Sequence, residues 1–148
     1  MYSFKKIGMN EKETVKELFT AVFTLPPWND DWSDKKQLDL YITDLMNQNN
    51  SLAYGLFEND SLVCISLGHI KHWFTGTEYC IDEFCVRTGK QSQGIGTYFI
   101  KEIENSIKEL GLVQIFLQTD SSVPAYHFYK RCGFIESTGL VSFGKQLN

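Results

Sequence analysis

Apolar and polar residues recur along this chain with two different periods, and the changes of period mark out its elements. "YSFKKI" reads as a first strand. In "NEKETVKELFTAVF", Val15, Leu18, Phe19, Val22 and Phe23 share one helical face, and Asn10 with Glu13 has the spacing of an N-cap followed by a carboxylate at N3, so a helix is predicted. Pro26 and Pro27 break the pattern in "TLPPWNDDWS"; Leu38, Tyr41, Ile42 and Leu45 restore it in "DKKQLDLYITDLM" as a second helix. From Leu52 to about Val86 the period shortens. "SLAYGLFEND" and "SLVCISLGHIKHWF" predict a hairpin turning at Asn59 and Asp60, and "EYCIDEFCV" a third strand after a turn at Gly76. Ile95, Phe99, Ile103, Ile107 and Leu110 then mark a helix stopped near Gly111, and "LVQIFLQT" is a short apolar strand. "SSVPAYHFYKRCGF" reads as a helix with Pro124 in its first turn, Ser121 or Ser122 as cap and Gly133 at its stop, and "FIESTGLVSFGKQL" as a closing strand. The order β-α-α-β-β-β-α-β-α-β predicts an α/β (α+β) fold: a mixed, mostly antiparallel sheet flanked by about four helices.

Length and composition narrow the function classes. With 148 residues, the chain has the size of one domain, 1–148, with a core of its own. It shows no low-complexity tract and no internal repeat. A formal charge of -4 argues against nucleic acid as a partner, because affinity for phosphate backbones rests on Lys and Arg. No segment approaches membrane-spanning length, and the lysines near the start are followed by no apolar run of signal-peptide type, so a cytoplasmic protein with no membrane partner is expected. Cys64, Cys80, Cys85 and Cys132 form no CxxC pair and read as free thiols. His69 and His72, three apart on a strand, point to opposite faces, and no metal is expected.

The candidate chemistry starts at "KQSQGIGTYF". Gly94 and Gly96 match neither the GxxxxGK[ST] of a Walker A loop nor the GxGxxG of a dinucleotide fold. What remains is a strand, a polar loop and a helix N-terminus, where unpaired N–H groups and the positive end of the helix dipole converge. A phosphate fits there, although two glycines serve equally well as a tight turn.

The context resolves that choice. "CVRTGKQSQGIG", followed some thirty residues later by "PAYHFYKRCGF", resembles the GCN5-related N-acetyltransferases (GNAT), whose signature is [R/Q]xxGx[G/A] at a strand-to-helix junction and an Ax2-3[F/L]YxKxGF-like helix downstream. The first is matched by Gln91, Gly94 and Gly96, the second by Ala125, Phe128, Tyr129, Lys130, Gly133 and Phe134. The chain resembles small bacterial enzymes that acetylate amines, aminoglycoside N-acetyltransferases among them, and no motif selects an antibiotic over a polyamine, a small metabolite or a protein amine. The resemblance implies acetyl-CoA as co-substrate, its pyrophosphate on the amides of Gln91, Ser92, Gln93, Gly94, Ile95, Gly96 and Thr97, with Lys90 adding charge at the rim. It also implies a pantetheine arm alongside Phe84, Cys85 and Val86, where their strand splays from its neighbour. Tyr129 matches the family's frequent general acid beside the departing sulfur. Two positions depart from the family pattern: Cys80 stands where many members carry a glutamate, and Ser122 where an asparagine often touches the cofactor arm.

Direct attack by an amine on the thioester needs a base, since an alkylammonium of pKa about 10 is protonated at neutral pH. Asp82 and Glu83 are the candidates; strand alternation puts them on opposite faces, so only one is expected to reach the site, with Glu83 favoured. "LPPWNDDW" places Trp28, Asp30, Asp31 and Trp32 in the loop bordering the acceptor cleft, where aromatic faces and carboxylates suit a small cationic amine. The tryptophans serve equally well to staple the helices, and the aspartates to cap the second one. An amine N-acetyltransferase is therefore predicted, with an aminoglycoside-like compound, a polyamine, another small amine or a protein amine as acceptor. A non-catalytic acyl-CoA sensor and a cofactor-free interaction domain are the rival classes. The resemblance leaves a homodimer open.

Overall fold

A computed structural model describes residues 1–148. Two compact units are distinguished, Met1–Gln118 and Thr119–Asn148.

The first unit is built on a five-stranded sheet in sequence order: β1 (Tyr2–Ile7), β2 (Ser51–Glu58), β3 (Ser61–Trp73), β4 (Gly76–Val86) and β5 (Gln114–Leu117). The first three pairings are antiparallel; β4 and β5 are parallel, joined by a crossover through α3 (Ile95–Glu109). The β2–β3 hairpin turns at Asn59 and Asp60, both with φ near the left-handed region (49° and 74°), as a two-residue primed turn requires. Helices α1 (Lys12–Phe23) and α2 (Lys35–Met46) cover one face with Val15, Leu18, Phe19, Val22, Leu38 and Ile42, packed against Ile65, Leu67 and Cys85. Helix α3 covers the other with Ile95, Phe99, Ile103 and Ile107, packed against Leu52, Tyr54, Tyr79 and Ile81. Every apolar position assigned to α1 from its periodicity is buried.

The helix caps differ from the expected ones. The chain enters α1 through a 3-10 turn at Met9–Glu11, so the capping carboxylate is Glu11, which accepts from the Gly8 N–H at 2.9 Å; Asn10 and Glu13 do not cap. A cap needs the chain to be extended just before it, and that condition falls at Gly8. Helix α2 is capped by Asp34, whose carboxylate accepts from the N–H groups of Lys36 and Gln37 at 3.1 Å.

In the second unit, α4 (Pro124–Arg131) has Pro124 in its first turn and ends before Gly133, whose φ is +92°. Its N-cap is Val123 rather than Ser121 or Ser122; the Ser122 N–H and hydroxyl both donate to Asp120 Oδ1, at 2.8 and 2.7 Å, closing a turn of their own. The closing strand does not form: no helix or strand follows Gly133, and Ile135, Leu140, Val141, Phe143 and Leu147 are exposed. Ile135, Val141, Phe143 and Leu147 are in step at a strand period, but the segment pairs with no strand of the sheet, and β propensity without a neighbour to pair with does not make a strand.

The site depends on one irregularity. Leu67 faces Glu83 across β3 and β4, but Gly68 faces Ile81, leaving Asp82 as an extra residue in β4. This β-bulge reverses which face each later β4 side chain meets. Gly68 is required opposite it: a Cβ there would run into the Cys80 carbonyl oxygen and lie 2.7 Å from the Tyr79 ring. Tyr79 is immobile in turn, because its buried hydroxyl donates to the Leu52 carbonyl at 3.0 Å and meets the Ser66 hydroxyl at 2.8 Å. Gly68→Ala is therefore expected to cost about 1–3 kcal/mol, the usual scale of overpacking, read as a lower urea midpoint; an unchanged midpoint would show that the bulge absorbs the methyl group.

Candidate functional site

Three features of the first unit converge on β4. The first is the end of the parallel ladder. Pairing with β5 runs from Glu78↔Gln114 to Ile81↔Leu117 and stops there, while β4 continues to Val86. Phe84, Cys85 and Val86 therefore lie beyond the end of the β4–β5 ladder, on the stretch of strand where the resemblance implies a splay. The thiol of Cys85 is buried, which pushes its pKa well up and makes it a packing residue rather than a nucleophile.

The second feature is the turn from β4 into α3. Gly94 is the N-cap of α3 in a left-handed conformation, φ +79°, and Gly89 has φ +94°. Gly94 is required for its conformation, since nothing lies within 4 Å of where its Cβ would be. Ser92 holds φ +65° with an ordinary side chain, and backbone strain of this kind gathers at sites that bind. The loop is braced from within: Gln91 Nε2 donates to the Val86 carbonyl at 3.0 Å, and Gln93 Nε2 to the Gly89 carbonyl at 3.2 Å. Lys90 N–H donates back to Arg87 O, and Tyr98 N–H is the next amide to find a backbone acceptor, at Gly94 O. The amides of Gln91, Ser92, Gln93, Gly94, Ile95, Gly96 and Thr97 in between have no backbone partner, and no side chain caps the helix. This is the set of donors an anion needs. Lys90 is committed elsewhere: its Nζ lies 2.7 Å from Glu58 Oε1 on β2, which draws the ammonium away from the rim.

The third feature is a group of carboxylates on the α1/α2 face. The bulge corrects the expectation that Asp82 and Glu83 oppose each other. Glu83 shares its face with Leu67, and Asp82 reaches His69 on the same face, Oδ2 to Nδ1 at 3.0 Å. Plain alternation from Ile81, which packs toward α3, would have sent Glu83 to the α3 side. Glu83 is instead half-buried under α2, where Tyr41 Oη donates to its Oε2 at 2.5 Å. Burial raises the Glu83 pKa above the usual carboxylate value, the Tyr41 bond opposes that rise, and the negative charges of Asp30 and Asp82 add to it. Burial and the same carboxylates raise the Tyr41 pKa, which keeps its phenol a donor.

The aromatic loop between α1 and α2 closes this side. Trp32 stacks on Tyr41 with ring centroids 5.3 Å apart and meets Phe19 edge-on at 5.3 Å; Trp28 meets Phe23 edge-on at 5.4 Å. Both tryptophans are part-buried against the core, which is the staple role, and Trp32 also walls the residue that holds Glu83. The Asp30 N–H donates to Phe23 O at 2.9 Å, which leaves its exposed carboxylate close enough to act on Glu83 and Tyr41. Asp31 is turned to its own loop, accepting from the Ser33 N–H at 3.0 Å. Cys80 pairs with His69 across the sheet and is buried, with its thiol pKa raised by that burial.

In the second unit, Tyr129 is buried on α4 and packs edge-on against Phe128 and Phe134, at 5.3 and 5.4 Å. The Ser122 hydroxyl, donating to Asp120, keeps only its acceptor capacity.

Sequence reasoning missed Tyr41 and the pairing of His69 with Asp82. Tyr41 was read as one more apolar position of α2, and only the phenol among Leu38, Ile42 and Leu45 hinted at another use. The bulge left no mark beyond Gly68 in an otherwise apolar strand.

Residues 12–134 match the model of the acetyltransferase (GNAT) family. No curated protein matches the sequence. Among solved structures, an aminoglycoside acetyltransferase from an uncultured soil metagenomic sample, in complex with sisomicin, is similar at 22% identity and TM-score 0.77, covering 99% of this chain and 97% of that one. A possible acetyltransferase from Clostridium difficile 630 is similar at 14% identity and TM-score 0.83, covering 100% and 99%. AAC(6')-Iy in complex with the bisubstrate analogue CoA-S-monomethyl-acetylneamine is similar at 11% identity and TM-score 0.75, covering 99% of both chains. At these identities the likeness is one of fold.

The burial of Glu83 has a consequence for stability. An acid whose folded pKa is raised binds its proton more tightly in the folded chain, so stability falls as pH rises from the ordinary carboxylate value through the raised one. Glu83→Gln removes that penalty and still accepts from Tyr41. Its Tm at pH 7.5 is expected to exceed that of the unmodified protein by about 2 °C, with the gap closing at pH 4; a clear drop at pH 7.5 would contradict the burial.

Proposed function

Because the chain belongs to the acetyltransferase (GNAT) family and is an acetyl-transferring enzyme, we propose that it moves the acetyl group of acetyl-CoA to a primary amine of a small cationic molecule by direct attack on the thioester. The observation that carries this reading is the meeting at β4 of a run of unpaired loop amides, the end of the parallel ladder and the Asp30, Asp82 and Glu83 carboxylates.

The pyrophosphate lies on the amides from Gln91 to Thr97, whose donors match its oxygens without a side chain in between. The pantetheine runs along Phe84, Cys85 and Val86, past the last β4–β5 pair. The amine arrives as an ammonium ion, drawn by Asp30 and Asp82 and lying near the aromatic faces of Trp28 and Trp32. Glu83 takes a proton from it, directly or through one water; its raised pKa brings it nearer to neutrality and makes it a better base than an exposed carboxylate. The nitrogen lone pair then attacks the carbonyl carbon, a tetrahedral intermediate forms, and a strand amide stabilises its oxyanion. The carbon–sulfur bond breaks, Tyr129 gives the departing thiolate its proton, and the nitrogen releases its second proton to water, from which Tyr129 is reprotonated. Asp31, held by Ser33, contributes charge at the cleft entrance only. The two units act as one acetyltransferase domain, a reading supported by the family match running across their boundary. No helix is long and apolar enough to cross a membrane, and the formal charge of -4 supports a small-molecule acceptor over nucleic acid.

Aminoglycoside-like compounds and polyamines are the acceptors that suit three carboxylates best. Cys80, standing where many members carry a glutamate, favours one rival, an acyl-CoA sensor without turnover. A thiol-release assay over sisomicin, spermidine and a peptide amino terminus separates the two. Turnover with sisomicin or spermidine is expected; stabilisation by acetyl-CoA without release of CoA for any amine would establish the sensor.

Two variants test the parts. Gly94→Val forces a β-branched residue into the left-handed region and is expected to raise KM for acetyl-CoA at least tenfold, a cost of about 1–2 kcal/mol; an unchanged KM would remove the cradle. Asp30→Asn is expected to raise KM for the amine several-fold at low salt and less at high salt, with KM for acetyl-CoA unchanged; a salt-independent effect would show that Asp30 acts by some means other than its charge.

A further inference from the structure

We propose that Tyr41 is a positioning residue for the reaction: its hydroxyl, held over β4 by α2 and Trp32, fixes the Glu83 carboxylate in the orientation and ionisation state in which it deprotonates the acceptor amine. This rests on Glu83 being the base.

Three observations support it. The bond from Tyr41 Oη to Glu83 Oε2 is 2.5 Å, the short end of the range for a hydroxyl on a carboxylate, and joins α2 to β4 across 42 residues of sequence. Tyr41 is itself fixed: Trp32 stacks on it nearly parallel, 15° between ring planes, and Phe19 packs at 5.9 Å from α1. Glu83 has no other hydrogen-bond partner at its carboxylate; the charged groups that act on it are Asp30 in the loop and Asp82 beside it on β4, both negative, with the Asp82 charge partly met by His69 from β3. Cys85, the next residue on the same face, is a buried thiol.

Those surroundings define what Tyr41 does. Burial and two like charges all favour protonated Glu83, and a protonated carboxyl is no base. The one interaction that favours the ionised form is the phenol proton, which is available because Tyr41 stays un-ionised. The second carboxylate oxygen, Oε1, is left to receive the substrate proton. Ser or Thr at position 41 is too short to reach from α2, and Phe packs equally well on Trp32 but donates nothing. Tyr41 therefore separates two properties that burial would otherwise link: a raised basicity and an ionised resting state.

The test compares Tyr41→Phe with Glu83→Gln in the full chain. For the amine of highest turnover among sisomicin, spermidine and a peptide amino terminus, Tyr41→Phe is expected to lower kcat/KM about tenfold or more, the scale on which a misplaced group loses rate, with KM for acetyl-CoA unchanged. The acid limb of its kcat/KM profile is expected at higher pH than in the unmodified enzyme, because the group that favours ionised Glu83 is gone. A carbon-13 titration of the Glu83 carboxyl in the unliganded protein is expected to move the same way, independently of turnover. If that titration is unmoved, or the acid limb stays in place, the role of Tyr41 is overturned. If Glu83→Gln retains the acid limb, the assignment of Glu83 as base fails first, and a shifted carboxyl titration in Tyr41→Phe then marks the contact as structural only, which also overturns the proposal.

Discussion

One extra residue in β4 decides what this fold can do. The sheet presents a face to α1 and α2 and another to α3, and both are closed by apolar side chains. A strict two-residue period would bury Glu83 against α3, among isoleucines and phenylalanines with nothing to bond to. The bulge at Asp82 turns it to the opposite face, where Tyr41 supplies a donor, and brings Asp82 to the same side. It also weakens the ladder where β4 leaves β5: parallel pairing ends at Ile81, the residue just before the bulge. The same local defect thus assembles the carboxylates beside the point where the parallel ladder ends.

Holding that defect in place takes rigid neighbours. Gly68 gives room for the backbone, and Tyr79, tied to Ser66 and Leu52, prevents the strands from slipping to a regular register. Arg87, at the end of β4, is bound by both the Glu17 carboxylate and the Leu62 carbonyl, which anchors the start of the loop to α1 and β3. With both ends fixed, the loop can keep seven amides unpaired and a serine at positive φ, conditions that would otherwise relax. Unsatisfied donors at one end of β4 and poorly solvated carboxylates in its middle are both costs to folding, and both are placed where a two-part substrate would offset them.

Much of the fold was legible because helices and strands here bury clean faces. The α1 positions from Val15 to Phe23, the Asn59–Asp60 turn and the Gly111 stop follow directly from period and from positive φ. What was not legible depended on a partner elsewhere in the chain. The closing strand was inferred from β-branched and aromatic residues alone, yet a strand exists only beside another, and Ile135 and Phe143 are exposed. The α1 cap was misplaced by two residues, since a 3-10 turn stands before the helix and takes the cap at Gly8 and Glu11. At the site, the turn into α3 was readable from Gly94, whose positive φ is a local matter. The common side taken by Asp82 and Glu83 was not, because a bulge is a property of the pair of strands, and neither was Tyr41, whose partner lies 42 residues away.

The central claim is that the bulge directs Glu83 and the acceptor to one face of the sheet while the cradle holds the other substrate at the end of the same strand. A crystal structure of the protein with a bisubstrate analogue joining CoA to an amine tests this most directly. The expected result has the pyrophosphate oxygens on the amides of residues 91–97, and the amine nitrogen on the α1/α2 face within one bridging water of Glu83. A nitrogen on the α3 face, or a strand that pairs without the extra residue at Asp82, would contradict it.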